Sequence, residues 1–311
     1  MKLGVIMDPL SEINLKKDST FAMLLEAERR GWEIQYMEQQ DIFFQNGSVS
    51  AHMRKLQQVN NRELADVKTQ PLSVLNAILM RKDPPVDREY LYTTQLLELA
   101  ESEGVLVVNS PQSLRDVNEK LFTLWFPQCC PETVVTHDIK IIRDFLEKHG
   151  DIICKPLHGM GGEGIFRVRM GEPNLNVIVE TLTQHGSRYM TAQRYIPEIT
   201  QGDKRILMIN GEPIPYALAR IPAPGETRGN LAAGGTGIGV PLTDRDRWIC
   251  EQVSPVLKQK GLFFVGLDII GDYLTEINVT SPTCIRELDA LYGLNISAQL
   301  LDVIEMGFSQ K

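Results

Sequence analysis

Residues 261–282, GLFFVGLDIIGDYLTEINVTSP, constrain the chain more than any other stretch. Asp268 stands inside an almost continuous apolar run, and an ionised carboxylate taken out of water is costly unless a cation or a metal compensates it. Gly271 marks a hairpin turn, and on the returning strand Glu276 and Asn278 alternate and so share one face. A three-residue loop sets Asp268 opposite Glu276, so that all three side chains converge; a two-residue loop turns Asp268 to the other face. Two carboxylates and an amide, with phosphate oxygens completing the shell, suit magnesium, a hard cation that takes few protein ligands. The plainer alternative is a polar hairpin in which Asp268 meets an arginine.

Residues 155–169, KPLHGMGGEGIFRVR, end an apolar strand on Lys155 and continue into a glycine-rich loop and a second strand. Glycine lets backbone N–H groups approach phosphate oxygens closely. The formal G-x-G-x-x-G at Gly159, Gly161 and Gly164 is followed by Ile165, Phe166 and Val168, a strand pattern, so it does not open a helix as a dinucleotide fingerprint must. No Walker A motif is present. A hairpin lying over a triphosphate fits, the alternative being a simple flexible turn. Lys155, and Lys120 on an expected helix, are candidates to neutralise phosphates, although most lysines are ordinary surface residues.

Residues 204–209 and 212–220 pair about Asn210-Gly211, and the strand parity sets Arg205 and Arg220 on one face as an anion clamp. Arg228, inside the glycine-rich string ETRGNLAAGG, is a third such group on a loop. Each of the three also has a bland reading as a surface arginine.

At 311 residues the chain exceeds the size of one usual core. Strands expected at residues 3–7, 34–37, 77–80 and 105–108, with helices near residues 19–30 and 90–103, predict an α/β domain on a mainly parallel sheet. Its first strand-to-helix loop lacks the glycines of an NAD site. Ser110 and Pro111 open a helix expected to run past Lys120 toward Phe126. The division expected is 1–119, 120–197 and 198–311. A net charge of −8 without acidic runs argues against nucleic acid as the main partner. No signal-peptide pattern or membrane-length apolar stretch is seen, which predicts a soluble cytoplasmic protein. Five cysteines, with no C-x-x-C, are expected as reduced thiols, the adjacent Cys129 and Cys130 included. No histidine has a visible nucleophilic or metal-binding partner.

These pieces, in this order, resemble the ATP-grasp superfamily and, along the whole chain, its bacterial glutathione synthetases. The strings that carry the resemblance are RKDPP from Arg81, PQSLRD and NEKL within residues 111–121, KPLHGMGGEGIFRV, ETRGNLAAGG and VGLDIIGDYLTEINVTSPT. It implies an ATP-grasp fold: an N-terminal Rossmann-like preATP-grasp domain, then central and C-terminal lobes that hold ATP between them. It implies an ATP-dependent ligase joining γ-glutamylcysteine and glycine, with Mg2+ or Mn2+, in an assembly that in this family is often a homotetramer. By position, Lys120 and Lys155 then contact ATP phosphates, and Gly161, Gly162 and Gly164 belong to the lid. The strand holding Gln193 and Ile196 meets adenine largely by backbone, with Asp203 near ribose. Asp268, Glu276 and Asn278 hold the metal, Arg205 and Arg220 the transferring phosphoryl, and Arg228 the reactive centre. Arg81, Asn278, Ser281 and Thr283 contact the peptide substrate. His158 departs from the family pattern, which has an acidic residue there. Near alternatives are ligases for D-alanine or glutamate; a non-catalytic nucleotide-binding regulator and a kinase-like phosphotransferase stand further off, the last lacking H-R-D and D-F-G.

Overall fold

The computed structural model describes residues 1–226, 228–231 and 234–309. Three sheets divide the chain. The first contains β1 (Lys2–Ile6), β2 (Glu33–Met37), β3 (Ile42–Gln45), β4 (Ser48–Gln58), β5 (Glu63–Pro71), β6 (Ala77–Met80) and β7 (Leu106–Val108), in the order β3-β4-β2-β1-β6-β7 with β5 on β4. The second orders its four strands β10-β9-β11-β8, from β8 (Thr133–Thr136), β9 (Asp151–Pro156), β10 (Phe166–Arg169) and β11 (Met190–Arg194). The third is β14-β13-β12-β15-β16, from β12 (Asp203–Ile209), β13 (Glu212–Ile221), β14 (Thr236–Pro241), β15 (Phe264–Ile270) and β16 (Tyr273–Asn278). The helices are α1 (Ser19–Arg29), α2 (Arg88–Ser102), α3 (Pro111–Asp116), α4 (Ile139–His149), α5 (Leu175–Thr183), α6 (Asp244–Gln259), α7 (Ile285–Tyr292) and α8 (Ile296–Ser309).

In the first sheet only β2, β1, β6 and β7 run parallel. The antiparallel extension β3–β5 corrects the expectation of a mainly parallel sheet. Its strands are half exposed, with burial alternating along β4, so they lack the solid apolar runs that mark β1 and β6. Asp18 and Asp87 cap α1 and α2 by accepting from the N–H of Phe21 and Tyr90.

The expected long helix past Lys120 is also corrected: α3 stops at Asp116, and a separate 3-10 turn spans Leu121–Trp125. Asn118 is the cause. Its Oδ1 accepts from the N–H of both Lys120 (3.1 Å) and Leu121 (3.0 Å), starting a new turn that competes with continuing the old one. Lys120 is thereby left on a bend instead of a helix face.

The first and third sheets share their apolar cores, Leu79 and Val108 packing in one cluster with Leu207 and Phe264. Asn109 fastens them: its Nδ2 donates to Phe264 O (2.8 Å) and Val279 O (2.7 Å), while Oδ1 accepts from Phe264 N (2.8 Å). The second sheet instead has a core of its own, built from Ile142, Leu146, Ile152, Cys154, Val168 and neighbours on α4 and α5. A lobe that packs on itself is free to move as a unit against the larger body. Among the described residues no helix is long and apolar enough to cross a membrane, and all five cysteines are free thiols.

Candidate active site

A cleft open at its mouth lies between the second and third sheets. Its walls include Lys120, Lys155, Gly161, Gly162, Gln193, Ile196, Asp203, Arg228, Asp268 and Glu276. Ile153, Ile199 and Ile270 add apolar surface to the same walls.

The placing of the charges depends on the register of the third sheet. The tip between β15 and β16 is two residues, Gly271 and Asp272, which by parity alone turns Asp268 away from Glu276. A bulge reverses that: Ile269 pairs with Leu274 and Asp268 with Glu276, so Thr275 is the extra residue. Thr275 Oγ1 donates to Asp268 O (3.1 Å), and its carbonyl accepts from Lys155 Nζ (3.5 Å). Asn278, opposite Gly266, keeps the same face, and its Nδ2 donates to Gly266 O (3.1 Å).

The arginine pair forms as the parity requires. Arg205 lies opposite Asp268 on β15 and Leu218 on β13, and Arg220 opposite Asp203. A bulge sets Leu207 against Ile214, Pro215 and Tyr216, an offset of two that preserves the facing. Arg205 grips Asp268 with Nε–Oδ1 at 2.5 Å and Nη2–Oδ2 at 3.0 Å. Arg220 Nη2 bridges Asp268 Oδ2 (2.8 Å) and Asp203 Oδ2 (2.5 Å). Asp268, 2 % exposed, thus meets not one arginine but two. Burial alone pushes its carboxyl up, but the two guanidiniums hold it well below the usual carboxylate range. Asp203 goes the other way, to about 6, because burial outweighs Arg220. Its Oδ1 is buried and has no hydrogen-bond partner among the described residues.

The two lysines differ. Lys120 Nζ pairs with Glu276 Oε1 at 2.9 Å, and although burial lowers its pKa, Glu276 more than restores it. Lys155 is buried with only the distant Thr275 carbonyl as hydrogen-bond acceptor among the described contacts. Burial pulls its ammonium down to about 8, with Glu276 opposing. A desolvated cation of that kind is a strong point attractor for an anion.

Two loops roof the cleft. The glycine-rich loop is tied down by Lys120 Nζ to Gly159 O (3.3 Å) and by Asn118 Nδ2 to Leu157 O (3.0 Å). The loop between β13 and β14 reaches across it, Arg228 Nη1 donating to Gly162 O (3.5 Å) and Nη2 pairing with Glu226 Oε2 (2.6 Å). Gly162, at φ +84°, leaves no room for a Cβ, which would stand 2.8 Å from Arg228 Cδ. Gly164 abuts Pro156 at the loop's base. Thr227, Ala232 and Ala233 of the ETRGNLAAGG string lie outside the described residues.

Both family models that match this chain describe one family: the N-terminal domain of prokaryotic glutathione synthetase over residues 1–115, and its ATP-grasp domain over residues 119–293. The chain belongs to the prokaryotic glutathione synthetase family. Among curated glutathione synthetases it is 59 % identical to that of Shewanella oneidensis, covering all of both chains. It is 60 % identical to that of Pseudomonas aeruginosa, over 98 % of this chain and 97 % of the relative. Identity to the Escherichia coli K12 protein is 58 %, again end to end. Solved structures share the fold at low identity: the D-cycloserine synthetase DcsG (TM-score 0.67, 14 % identical, covering 98 % of this chain and all of that one) and the ATP-grasp ligase PsnB with minimal precursor, Mg and ADP (0.63, 17 %, 99 % and 98 %).

Within this family frame, most residues singled out in the sequence fall into three positions, while Gly164, beside Pro156, and Asn278, at the end of β16, are not among the described residues that line the cleft. Lys120, Lys155, Gly161, Gly162, Gln193, Ile196, Asp203, Arg228, Asp268 and Glu276 line the cleft, and Arg205 and Arg220 stand directly behind Asp268. The strand carrying Gln193 ends at Arg194, so Ile196 sits on the connection after it. Arg81 is buried apart from the cleft, with Nε donating to Thr20 Oγ1 (3.0 Å) and Nη2 to Pro282 O (2.9 Å). Ser281 Oγ reaches Arg81 O at 3.4 Å, so Arg81, Ser281 and Thr283 gather around the turn after β16. Sequence reasoning missed Thr275, whose bulge leaves no pattern, and Gly229, where a Cβ would stand 2.4 Å from Arg220 O. The signal for Gly229 was only its place beside Arg228.

Proposed function

We propose that this chain joins γ-glutamylcysteine to glycine at the expense of ATP, in the cleft between its second and third sheets. The observation that carries the reading is the set of charges along that cleft: two lysines and two facing carboxylates, with two arginines paired behind Asp268. Adenine is placed near Gln193 and Ile196, and Asp203, also on the cleft wall, is assigned to the ribose. Lys120 and Lys155 then meet the phosphates, with the N–H groups of Gly161, Gly162 and Gly164 in the loop above.

A free carboxylate is a poor electrophile. The cysteinyl carboxylate of γ-glutamylcysteine attacks the γ-phosphoryl, ADP leaves, and glycine's amine displaces phosphate from the acyl phosphate with release of a proton. Arg205 and Arg220 stabilise charge spread over the transferring group, and Arg228 closes over the reacting carbon. The Arg228–Gly162 contact supports joint closure of both loops, which excludes the water that hydrolyses an acyl phosphate.

Asp268, Glu276 and Asn278 share one face without sulfur or imidazole, Asp268 being paired with Arg205 and Arg220 and Glu276 with Lys120 in the ligand-free chain. That oxygen-only set fits magnesium, and manganese next, with phosphate oxygens completing the shell. Magnesium, when bound, neutralises charge on the phosphates. Arg81, Asn278, Ser281 and Thr283 are assigned to the peptide substrate. The proposed division is 1–119, 120–197 and 198–311, of which the middle unit is supported by its separate apolar core, and a cytoplasmic homotetramer is the assembly proposed.

The experiment measures phosphate release from Mg-ATP with γ-glutamylcysteine plus glycine, then with each omitted, and with D-alanine or glutamate in place of glycine. Release that needs both substrates and yields glutathione supports the reading. Folded, ATP-binding protein that releases none with this pair overturns the named substrates.

A further inference from the structure

Glu119 belongs to the NEKL string but to none of the roles above. Its carboxylate Oε1 accepts from Val279 N (2.8 Å), Thr280 N (3.1 Å) and Thr280 Oγ1 (2.9 Å). Its backbone carbonyl accepts from Ile277 N (2.9 Å). One residue therefore holds the strand end on both sides of Asn278 and the first two residues of the turn that leads to Ser281 and Thr283. Its chain neighbour Lys120 is paired with Glu276 two residues before Asn278. Two successive N–H groups converging on one oxygen fix the peptide plane between Val279 and Thr280, and so the direction in which the turn leaves the sheet.

We propose that Glu119 is a positioning residue for the peptide substrate: it sets the 278–283 turn relative to the phosphate-binding Lys120, so that the two reactants meet in register. The assignment rests on the reading of Asn278, Ser281 and Thr283 given above. Gln193 and Ile196, assigned to adenine, lie on the opposite wall, and Asp203, assigned to ribose, is on β12, separated from β16 by β15; none of the three is hydrogen-bonded to Glu119 or to residues 277–280 among the described contacts. Burial pushes the Glu119 carboxyl up and Glu276 adds to that, while the donors from Thr280 and Val279 oppose it; the role rests on the three donors that converge on Oε1. Glutamine keeps an oxygen at the same reach; aspartate keeps the charge but withdraws the oxygen by one methylene.

The test compares Glu119→Asp and Glu119→Gln with the parent chain in three readouts: melting temperature, steady-state KM for γ-glutamylcysteine against dissociation of an ATP analogue, and hydrogen–deuterium exchange of the peptide covering residues 276–284. Glu119→Asp is expected to raise KM for γ-glutamylcysteine roughly tenfold or more while analogue affinity stays within about twofold, and to speed exchange in that peptide. Glu119→Gln is expected to restore most of both. Unchanged exchange in Glu119→Asp overturns the proposal whatever the substrates prove to be. Equal losses of analogue affinity and KM, or a collapse in melting temperature, also overturn it in favour of a general structural role. Failure of the parent chain to turn over γ-glutamylcysteine with glycine sinks the substrate reading instead, and the exchange measurement still decides Glu119.

Discussion

Arg205 and Asp268 form a two-pronged ion pair, Nε–Oδ1 2.5 Å and Nη2–Oδ2 3.0 Å, on adjacent strands of the third sheet and almost out of contact with water. The same carboxylate that is assigned to the metal therefore holds the arginines assigned to the phosphoryl group. Removing it leaves two buried guanidiniums without their shared partner, a loss of about 3–5 kcal/mol for a broken buried pair. Asp268→Ala is expected to lower the unfolding free energy by an amount in that range, seen as a lower urea midpoint, and to abolish phosphate release. Asp268→Asn, which keeps the shape, is expected to lose activity with a smaller loss of stability. Equilibrium urea unfolding beside an activity assay checks both; full stability in Asp268→Ala contradicts the ion-pair account.

Lys155 gives a pH prediction. Its ammonium is drawn down to about 8 in the ligand-free chain, largely by burial, and bound phosphate must raise it again. A group whose pKa is higher in the complex than in the free protein favours binding fully below the free value and loses that contribution as pH rises through it. ATP affinity is thus expected to be flat up to about pH 8 and to fall by at most about tenfold per pH unit above it. In Lys155→Arg, whose side chain does not titrate there, the break is expected to vanish. Titration calorimetry from pH 6.5 to about 9.5 checks it, and a break that survives in Lys155→Arg assigns the titration elsewhere.

Much of this arrangement was legible because its residues break local rules. Asp268 in an apolar run and Lys155 at the end of Ile152, Ile153 and Cys154 announce themselves by their cost, and the face shared by Arg205 and Arg220 follows from strand parity alone. What was not legible came from contacts between distant segments. The bulge at Thr275 turns a two-residue tip into the facing expected of a three-residue loop, and no sequence pattern marks it. Asn118 ends one turn and starts another, so Lys120 left the helix assigned to it. The half-exposed β3–β5 extension lacks the apolar continuity that marked β1, β6 and β7. Glu119 and Asn109 take their meaning from β16 and β15, more than a hundred residues away.

Gly162 is where the two roof loops touch. A Cβ there adopts an unfavourable left-handed conformation, costing about 1 kcal/mol, and forces Arg228 Cδ to move. Gly162→Ala is expected to leave the melting temperature within a few degrees, because the contact lies in loops outside the cores, while kcat falls roughly tenfold through the displaced arginine. Steady-state kinetics with differential scanning fluorimetry checks it. An unchanged kcat separates the two loops functionally.

Glu276 faces two tasks in opposite directions. It neutralises Lys120 across 2.9 Å, and it is assigned as a metal ligand on the face shared with Asp268. In Glu276→Gln the metal loses a charged oxygen, so manganese bound in the presence of an ATP analogue, read by electron paramagnetic resonance, is expected to weaken by at least about tenfold. Lys120 at the same time loses its internal counter-ion and meets phosphate unopposed, so the analogue without metal is expected to bind a few-fold tighter than to the parent chain. The two affinities must move apart. A substitution that merely disturbs the cleft weakens both, and one that touches neither removes Glu276 from the metal set and leaves Asp268 and Asn278 to hold it.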